Sequence, residues 1–518
     1  MRRKVLLILV PIAFVGTFLI YPLILLLLRF SISDFNQVLS KNLSIIRFTI
    51  FQALLSAFLT MILGIPGAYL IARTKLPKTV KSFLKSASMV PFVLPGISMA
   101  IGFLLTFGNN GIVNSVLSLF NLKIRILYTF TAVLIGHVFY NFPLFIRIVG
   151  DALERIDKST LEMANLEGTS RLKRFWYIEL PLVAPAIGSA FALAFLYCFT
   201  SFAVVLILGG IKYSTIEVSV YMYLRVLLDF ESALSLTFFQ MIFVALASLL
   251  FLIFSSKSHE SFGETLKESK PKWAYPYIAF VGILVFLPLF MASFGGFLRY
   301  GGSFTLENFK GLFGRTVEWI VGANTVSVIF YSISLSGLIA LFVCAVGLAS
   351  SYISVRHNNL FSSVVYLPIA VSPATIAFGM VLMSKLPQTV KLGAVYALIC
   401  LPLVHSSLQN LWRNLPKQIE EAAEIDGCGV LQRLFKITLP IFKKELLGAF
   451  SFSMAIALGE ITATIILSEG RLTTISVATY KLFSTRHIGE AQALNSILMW
   501  IVLTLFFLSE QSEQTLKT

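Results

Sequence analysis

His137 and Asn141 stand four residues apart, a spacing that puts both on one face of a helix. Their donor atoms suit a contact with a metal ion or a substrate. At the matching places in the second half of the chain stand Tyr396 and Cys400, so no ligand set recurs. Hydrogen bonding between helices is therefore the favoured interpretation for this pair and for His405, and no metal site is predicted.

Residues for nucleophilic or nucleotide chemistry are also scarce. The four cysteines form no close pair, and Cys198, Cys344 and Cys400 lie in apolar segments; with Cys428 they are interpreted as small apolar residues. The phosphate-binding pattern Gly-x-x-x-x-Gly-Lys-Ser/Thr does not occur, nor does the dipeptide Gly-Lys. The chain is thus predicted to bind no ATP and no cofactor of its own and to carry out no covalent chemistry.

Glu460 is a carboxylate within a long apolar stretch, and Ser201 takes its place in the first half of the chain. A charge at membrane depth is costly and usually faces a cavity or a charged partner. Glu460 is therefore predicted to line a pathway for a cationic substrate, with a structural hydrogen bond or a position near the interface as the alternative. Pro95 and Pro373 predict broken helices near that pathway, and a simple packing kink is the alternative there.

The elements that carry these residues are membrane helices. The chain is 57% hydrophobic and 13% charged, whereas soluble domains are about 45–50% apolar and about 25% charged. The fold class is an all-α integral membrane protein. A span needs roughly 20 apolar residues, and we predict twelve: 5–28, 48–72, 87–107, 128–147, 183–208, 235–255, 274–294, 324–350, 361–384, 392–411, 446–468 and 492–508.

Charge sets the predicted topology. The first apolar run follows a basic end, as in a signal peptide, but from Val5 to Leu28 it is too long and no small-residue cleavage site follows. With the N-terminus in the cytoplasm, the cytoplasmic segments hold 26 of the 41 Lys and Arg. This bias predicts a topology with both termini in the cytoplasm. The net charge of +16 indicates no nucleic acid, because the basic residues lie in short loops.

Two polar islands interrupt the apolar pattern. The first island, 162–181, reads EMANLEGTSRLKRFWYIELP, and the second island, 421–440, reads EAAEIDGCGVLQRLFKITLP. Both fit Glu-x-Ala-x-x-x-Gly, nine residues, Ile-x-Leu-Pro, without a gap. Each predicts a short helix that ends at Gly168 or Gly427, with Ser159 or Thr160 as the N-cap of the first. Such helices are too short to be stable alone. An interfacial helix is one interpretation, but two copies of identical spacing favour docking to a two-fold partner.

The duplication extends beyond the islands. Pro143 and Pro402, for example, have the same separation as the two island glycines. We predict a first repeat over 1–255, a flexible cytoplasmic linker over 256–273 and a second repeat over 274–518. Because each repeat has six spans, the repeats are parallel and related by a pseudo-two-fold axis along the membrane normal.

Glu-Ala-Ala, three residues, Gly, nine residues and Ile-x-Leu-Pro resembles the signature of permease subunits of binding-protein-dependent ABC importers. The second island fits fully, and the first departs at Met163. With both copies in one chain, the sequence resembles the fused permeases of thiamine and ferric-iron importers. The resemblance implies a type I importer permease fold in which each island docks on an ATPase as a coupling helix, through Glu162, Ala164, Gly168, Glu421, Ala422, Ala423 and Gly427.

The resemblance also implies a location in the cytoplasmic (inner) membrane, and it implies the partners. These are a cytoplasmic ATPase dimer that holds the ATP and an extracytoplasmic solute-binding protein. Two other functions stay open at this point: a twelve-helix secondary transporter for a small cation, and an intramembrane enzyme. The first needs several ionisable residues in the spans, and the second needs a nucleophile or metal cluster at membrane depth. The substrate stays open between thiamine, ferric iron and another small solute.

Overall fold

The computed structural model describes residues 2–77, 79–81, 84, 94–255, 266–267, 271–299, 303–356, 361–468 and 473–514. Over these residues the chain is helical, and its β-structure is limited to an isolated bridge between Leu298 and Phe304. The predicted all-α class is confirmed. The predicted linker lies mostly outside the described residues, as do residues 87–93 of the predicted third span.

The described helices follow one another with short breaks. In chain order they are α1 (Arg2–Val15), α2 (Tyr21–Leu28), α3 (Ile32–Lys41), α4 (Leu43–Arg73), α5 (Gly96–Phe107), α6 (Ile112–Ser118), α7 (Phe130–Glu154), α8 (Lys158–Leu166), α9 (Arg171–Arg174), α10 (Leu180–Phe199), α11 (Ile216–Tyr221), α12 (Phe230–Ser255), α13 (Ala274–Phe294), α14 (Glu307–Gly311), α15 (Arg315–Val321), α16 (Thr325–Arg356), α17 (Phe361–Tyr366), α18 (Pro373–Val381), α19 (Gln388–Asn414), α20 (Lys417–Ile425), α21 (Val430–Arg433), α22 (Leu439–Ile441), α23 (Lys443–Gly459), α24 (Thr462–Leu467), α25 (Ile475–Ser484) and α26 (Ile488–Gln514). Single π-helical turns join several of them, among them Phe175–Glu179 and Leu434–Thr438.

Ten of the described helical runs are long and apolar enough to cross a membrane. An eleventh is counted if Phe361–Ala370 and Pro373–Val381, which meet at 90°, form one bent span. The predicted break at Pro373 is thus present. The predicted span 446–468 is interrupted at Glu460, between α23 and α24, and this break accounts for the difference from twelve.

Contacts divide the chain into two compact units. The first-half unit comprises Ile32–Phe92 and Met99–Ala292, and the second-half unit comprises Met1–Ser31, Val93–Ser98 and Ser293–Thr518. Each unit therefore contains the opening helix of the other sequence repeat. The predicted repeat boundaries stay a prediction, because the compact units are defined by contacts between residues, whereas the repeats are defined by similarity of sequence.

In the first-half unit, α4 and α7 pack closely, and α10 packs against both. A side chain at Gly64 would lie 2.5 Å from the Cβ of Phe145, so only glycine permits this approach of the two helices. The hydroxyl of Tyr277, on α13, donates to the carbonyl of Leu63 at 2.8 Å. Small residues and interhelical hydrogen bonds thus hold the bundle, as expected where lipid removes the hydrophobic driving force.

In the second-half unit, α16 packs against α19 and α23, and α23 packs against α26. The opening helix joins this bundle through Phe14, whose ring centroid is 5.2 Å from that of Phe342 on α16. Trp412, Leu415 and Phe442 form a buried cluster that connects the ends of α19 and α23 across the second island. This cluster fixes where α20 leaves the bundle.

The helices α4 and α16 are equivalent in the two repeats. Near their starts, Thr49 and Ser332 each accept a hydrogen bond from the first N–H of α11 or α25, at 3.0 and 2.9 Å. Arg73 and Arg356 follow these two residues by the same number of positions, and each ends its helix. The two arginines therefore hold equivalent places in the two repeats.

Candidate functional site

The first island begins with a capped helix. The Asp157 carboxylate accepts from the Ser159 hydroxyl at 2.8 Å and from the Ser159 N–H at 3.3 Å. These two hydrogen bonds hold the pKa of Asp157 below its usual range. The predicted cap at Ser159 or Thr160 is therefore wrong: the helix starts earlier, and an aspartate beside its free N–H groups satisfies the first turn.

Both islands end their helix in the same turn. Gly168 has φ +76° and Gly427 has φ +73°, the left-handed region that favours glycine. The next residue's N–H returns to the carbonyl of Ala164 at 3.1 Å in the first copy and to that of Ala423 at 2.9 Å in the second. The predicted glycine ends are confirmed. The space where a side chain would stand at either glycine is open, so backbone conformation and not crowding selects the residue.

The predicted docking residues divide between two faces of the helices. The side chains of Ala164 and Ala423 are buried. Glu162, Glu421 and Ala422 are exposed, and Glu162 lies 3.8 Å from Lys158. The alanines therefore lie on the buried face of each island helix, and the glutamates lie on its exposed face.

An exposed apolar residue occupies the same place in both copies and was not among the predicted residues. Leu166 and Ile425, which align in the two islands, are each 86% exposed. A single exposed apolar side chain is ordinary on a protein surface, but the same exposure at equivalent places in two repeats is what a two-fold docking surface would require. The sequence signal was available, because both residues stand two places before the glycine.

The first island is held by buried charges. Arg73 Nε lies 2.9 Å from Glu179 Oε2, and Arg174 Nε lies 2.9 Å from Glu179 Oε1, with all three side chains fully buried. Arg174 also donates to Asn165 Oδ1 of α8 at 2.7 Å. We call Arg73, Glu179, Arg174 and Asn165 the first brace. It connects α8 with the π-helical turn that follows and with the end of α4.

The second island is held by a simpler contact. Arg356 donates to Glu420 Oε1 of α20 from Nη2 at 2.8 Å and from Nε at 3.0 Å. The same guanidinium donates to the Leu415 carbonyl at 2.9 Å and lies 6.0 Å from the ring of Trp412. We call Arg356 and Glu420 the second brace. Their side chains are 9% and 21% exposed.

The predicted pathway residues lie at helix breaks. Glu460 separates α23 from α24, and its Oε1 accepts from the Ala463 N–H at 2.8 Å, which satisfies a donor that the break leaves free. Pro95 packs against Gly459, and α18, which Pro373 opens, packs against α24. Ser201 lies in the first-half unit, in the equivalent break after α10. The structure thus gives Glu460 a structural hydrogen bond, and a role of these four residues in a pathway stays a prediction.

The histidines bind neighbouring helices. His137 Nδ1 is 3.1 Å from the Ser56 hydroxyl, and His405 Nδ1 is 2.8 Å from the Ser350 hydroxyl. Asn141 donates to the Cys198 sulfur at 3.3 Å. Interhelical hydrogen bonding is confirmed for all three. Within the described part of the chain, no three His, Cys, Asp or Glu side chains are grouped to hold a metal ion.

Glu217 is a buried acidic side chain that the sequence did not reveal. It lies in the first turn of α11, is fully buried and accepts a hydrogen bond from Gln240 on α12. The residue lies between two predicted spans, in a segment that the hydropathy pattern placed outside the membrane. Its burial follows from the broken helices that fold α11 back against α12.

Comparison with known proteins matches residues 64–260 and 341–511 to a family described as binding-protein-dependent transport system inner membrane component. The chain is similar to the thiamine transport system permease protein ThiP of Brucella abortus, 24% identical over 488 residues, which cover 91% of this chain and 88% of the relative. It is also 23% identical over 487 residues to FbpB 1 of Haemophilus influenzae, named for ferric transport, with coverage of 87% and 76%. ThiP of Escherichia coli is 32% identical over 200 residues, 38% of this chain and 37% of the relative.

Proposed function

The chain belongs to the family of binding-protein-dependent transport system inner membrane components, and on that premise we propose that it is the fused permease of an ATP-driven importer whose helices α8 and α20 dock on a separate ATPase dimer. One observation carries the proposal. Two short helices at equivalent places in the repeats end in left-handed glycines and expose an apolar side chain at the same position, Leu166 and Ile425.

A protein partner explains this exposure. Burying one leucine or isoleucine side chain contributes about 1.5–3 kcal/mol. Exposed carboxylates on the same helices, Glu162 and Glu421, supply the polar rim that interfaces place around an apolar centre. Since the two copies are equivalent, they match a partner that presents the same groove twice.

In the proposed mechanism, ATP hydrolysis and solute translocation take place on different proteins. ATP binds and is hydrolysed on the partner, and closure of the ATPase dimer moves α8 and α20. The bundles that hold these helices follow, and the pathway opens alternately to either side. An extracytoplasmic binding protein delivers the solute. The islands and both termini face the cytoplasm, as the distribution of basic residues indicates.

We assign thiamine as the first candidate substrate and ferric iron as the second. The Brucella abortus relative named for thiamine aligns over 91% of the chain and 88% of its own length, and the relative named for ferric transport aligns over 87% and 76%. Both solutes are cationic, which suits the carboxylate of Glu460, the predicted pathway residue. A secondary transporter would leave the paired exposed helices unexplained.

Co-purification tests the docking. We expect the tagged chain to bring down a soluble ATPase, and the double variant Leu166→Asp/Ile425→Asp to lose it. Leu228→Asp is the control, because Leu228 is 79% exposed on a turn far along the chain from either island. The complex is then reconstituted in liposomes with ATP on the side of the islands, and uptake of labelled thiamine and of ferric iron is measured. Uptake that follows an ion gradient without ATP would contradict the proposal.

A further inference from the structure

The two braces join the same helix of each repeat to the island through different carboxylates. Arg73 and Arg356 hold equivalent places at the ends of α4 and α16. The carboxylate of the first brace, Glu179, aligns with Thr438 in the second island. The carboxylate of the second brace, Glu420, aligns with Leu161 in the first repeat, a residue that is fully buried. Both repeats therefore have an arginine at the equivalent place. Its acidic partner lies in the turn after the island helix in the first repeat and within the island helix in the second.

The geometry makes each brace a stiff connection. In the first brace two arginines hold Glu179 through fully buried ion pairs, and in the second Arg356 directs two N–H groups to one oxygen of Glu420. Charge-assisted hydrogen bonds of this kind are strong, and removing one partner leaves the other charge without its partner in a largely buried place. Helices as short as α8 and α20 have little stability of their own. Their position relative to the bundle is therefore set by what they are tied to, and in both repeats that includes the end of the α4 or α16 helix.

We propose that Arg73 and Arg356 are positioning residues that pass the movement of the two islands to α4 and α16, with Glu179 and Glu420 as their respective attachment points. The inference rests on the proposed function, in which an ATPase moves the islands. Without the ion pair, the island helix moves independently of α4 or α16. ATP hydrolysis then continues without a matching movement of the transmembrane helices.

The two braces differ in their expected response to salt. The ion pairs of the first are fully buried, whereas the side chains of the second are 9% and 21% exposed. Screening acts on exposed charges and much less on buried ones. High salt is therefore expected to lower the uptake per ATP through the second brace first, and removing Glu420 should abolish most of that salt effect.

The test moves the carboxylate of the second repeat to the place that it has in the first. Glu420→Leu removes the partner of Arg356 and installs the first-repeat residue. The double variant Glu420→Leu/Thr438→Glu then restores a carboxylate at the position of Glu179. Both are compared with the native chain as complete complexes in liposomes, measuring ATP hydrolysis and labelled thiamine uptake, or ferric iron if the native complex carries that instead. Glu307→Leu is the matched control, because Glu307 pairs with Arg299 at 3.5 Å on an exposed surface.

We expect Glu420→Leu to lower the uptake per ATP about tenfold, within the usual range of coupling between sites, with the ATPase still bound. The double variant should recover most of that loss, which a purely structural role of Glu420 would not produce. An unchanged ratio in Glu420→Leu, or no recovery in a double variant that assembles as well as the native complex, would overturn the proposal. If the native chain binds no ATPase, that result contradicts the proposed function, whereas a complex that assembles but shows the outcomes above contradicts the proposal about the braces. If Glu420→Leu does not assemble, the salt dependence of the native complex decides, and a ratio insensitive to salt counts against the second brace.

Discussion

At the scale of single residues, substitutions of Gly427 can distinguish strain in the turn from a change in the charge of the docking surface. Its φ of +73° suits asparagine and aspartate better than other side chains, and the space beyond it is open. Gly427→Asp therefore adds mainly a charge on the docking side. We expect it to leave the protein in the membrane and to lower the uptake per ATP about tenfold, a coupling loss of usual size. The measurement is ATP hydrolysis against uptake in the reconstituted complex.

Gly427→Asn is the matched control for that prediction. Asparagine tolerates the same φ and has nearly the same shape, but it carries no charge. We expect its coupling to stay close to that of the native chain. Equal losses in both variants would mean that the turn itself, and not the docking surface, is sensitive. Normal coupling in Gly427→Asp would contradict docking at this end of α20.

The structural role of a residue was predictable from sequence where a local pattern repeats. It was not predictable where the role depends on a contact between residues far apart in the chain. Both glycines, the alanines and the break at Pro373 follow from sequence, because each has a local physical reason. Arg73 and Glu179 are far apart in the chain and had no such signal. Their pairing depends on how α4 packs beside the first island. Asp157 was missed because the helix begins one turn before the repeated pattern does.

At the scale of elements, Lys267, one of the linker residues that the structure describes, contacts the end of α4. Lys267 Nζ donates to the carbonyls of Ile71 and Ala72, at 3.2 and 2.5 Å, and lies 3.4 Å from Glu154. It thereby satisfies free carbonyls at the end of α4, where a cation is favoured. The flexible linker itself stays a prediction, because the structure describes only 266–267 and 271–273 of this segment.

Removing that contact should loosen the linker without disturbing the islands. We expect Lys267→Met to raise the rate of protease cleavage within 256–273 about tenfold, since hydrogen bonds to a charged group contribute about 1.5–3 kcal/mol. Limited proteolysis of the membrane-embedded protein measures this rate. Lys272→Met is the control within the same segment. A cleavage rate equal to that of the native chain would show that Lys267 does not hold the linker.

At the scale of the whole molecule, the duplication was predictable and the packing of the halves was not. The ungapped match between the two islands revealed the repeat, and counting spans gave its parallel orientation. The compact units nevertheless exchange their opening helices, with α1 in the second-half unit and most of α13 in the first-half unit. Hydropathy identifies both segments as membrane helices but carries no information on which bundle each one joins, because either bundle offers an apolar face.

The topology of the whole chain can be tested with a native cysteine. Cys428 follows Gly427 and is partly exposed, whereas Cys198 and Cys400 are buried and Cys344 lies within α16. A membrane-impermeant maleimide should therefore label Cys428 from the cytoplasmic side alone. We expect labelling in inside-out vesicles to exceed that in right-side-out vesicles about tenfold, and bound ATPase to protect the thiol, because an interface excludes solvent.

The same experiment reports on the first island. Thr169 aligns with Cys428 in the ungapped repeat. Thr169→Cys in a Cys428→Ser background moves the thiol to the first island, and Cys428→Ser alone is the unlabelled control. Parallel repeats require both thiols to react from the same side and to be protected together. Labelling of the two positions from opposite sides would contradict the parallel repeat, and labelling of both from outside would reverse the topology. Protection of one thiol without the other would mean that the two islands do not serve one two-fold partner.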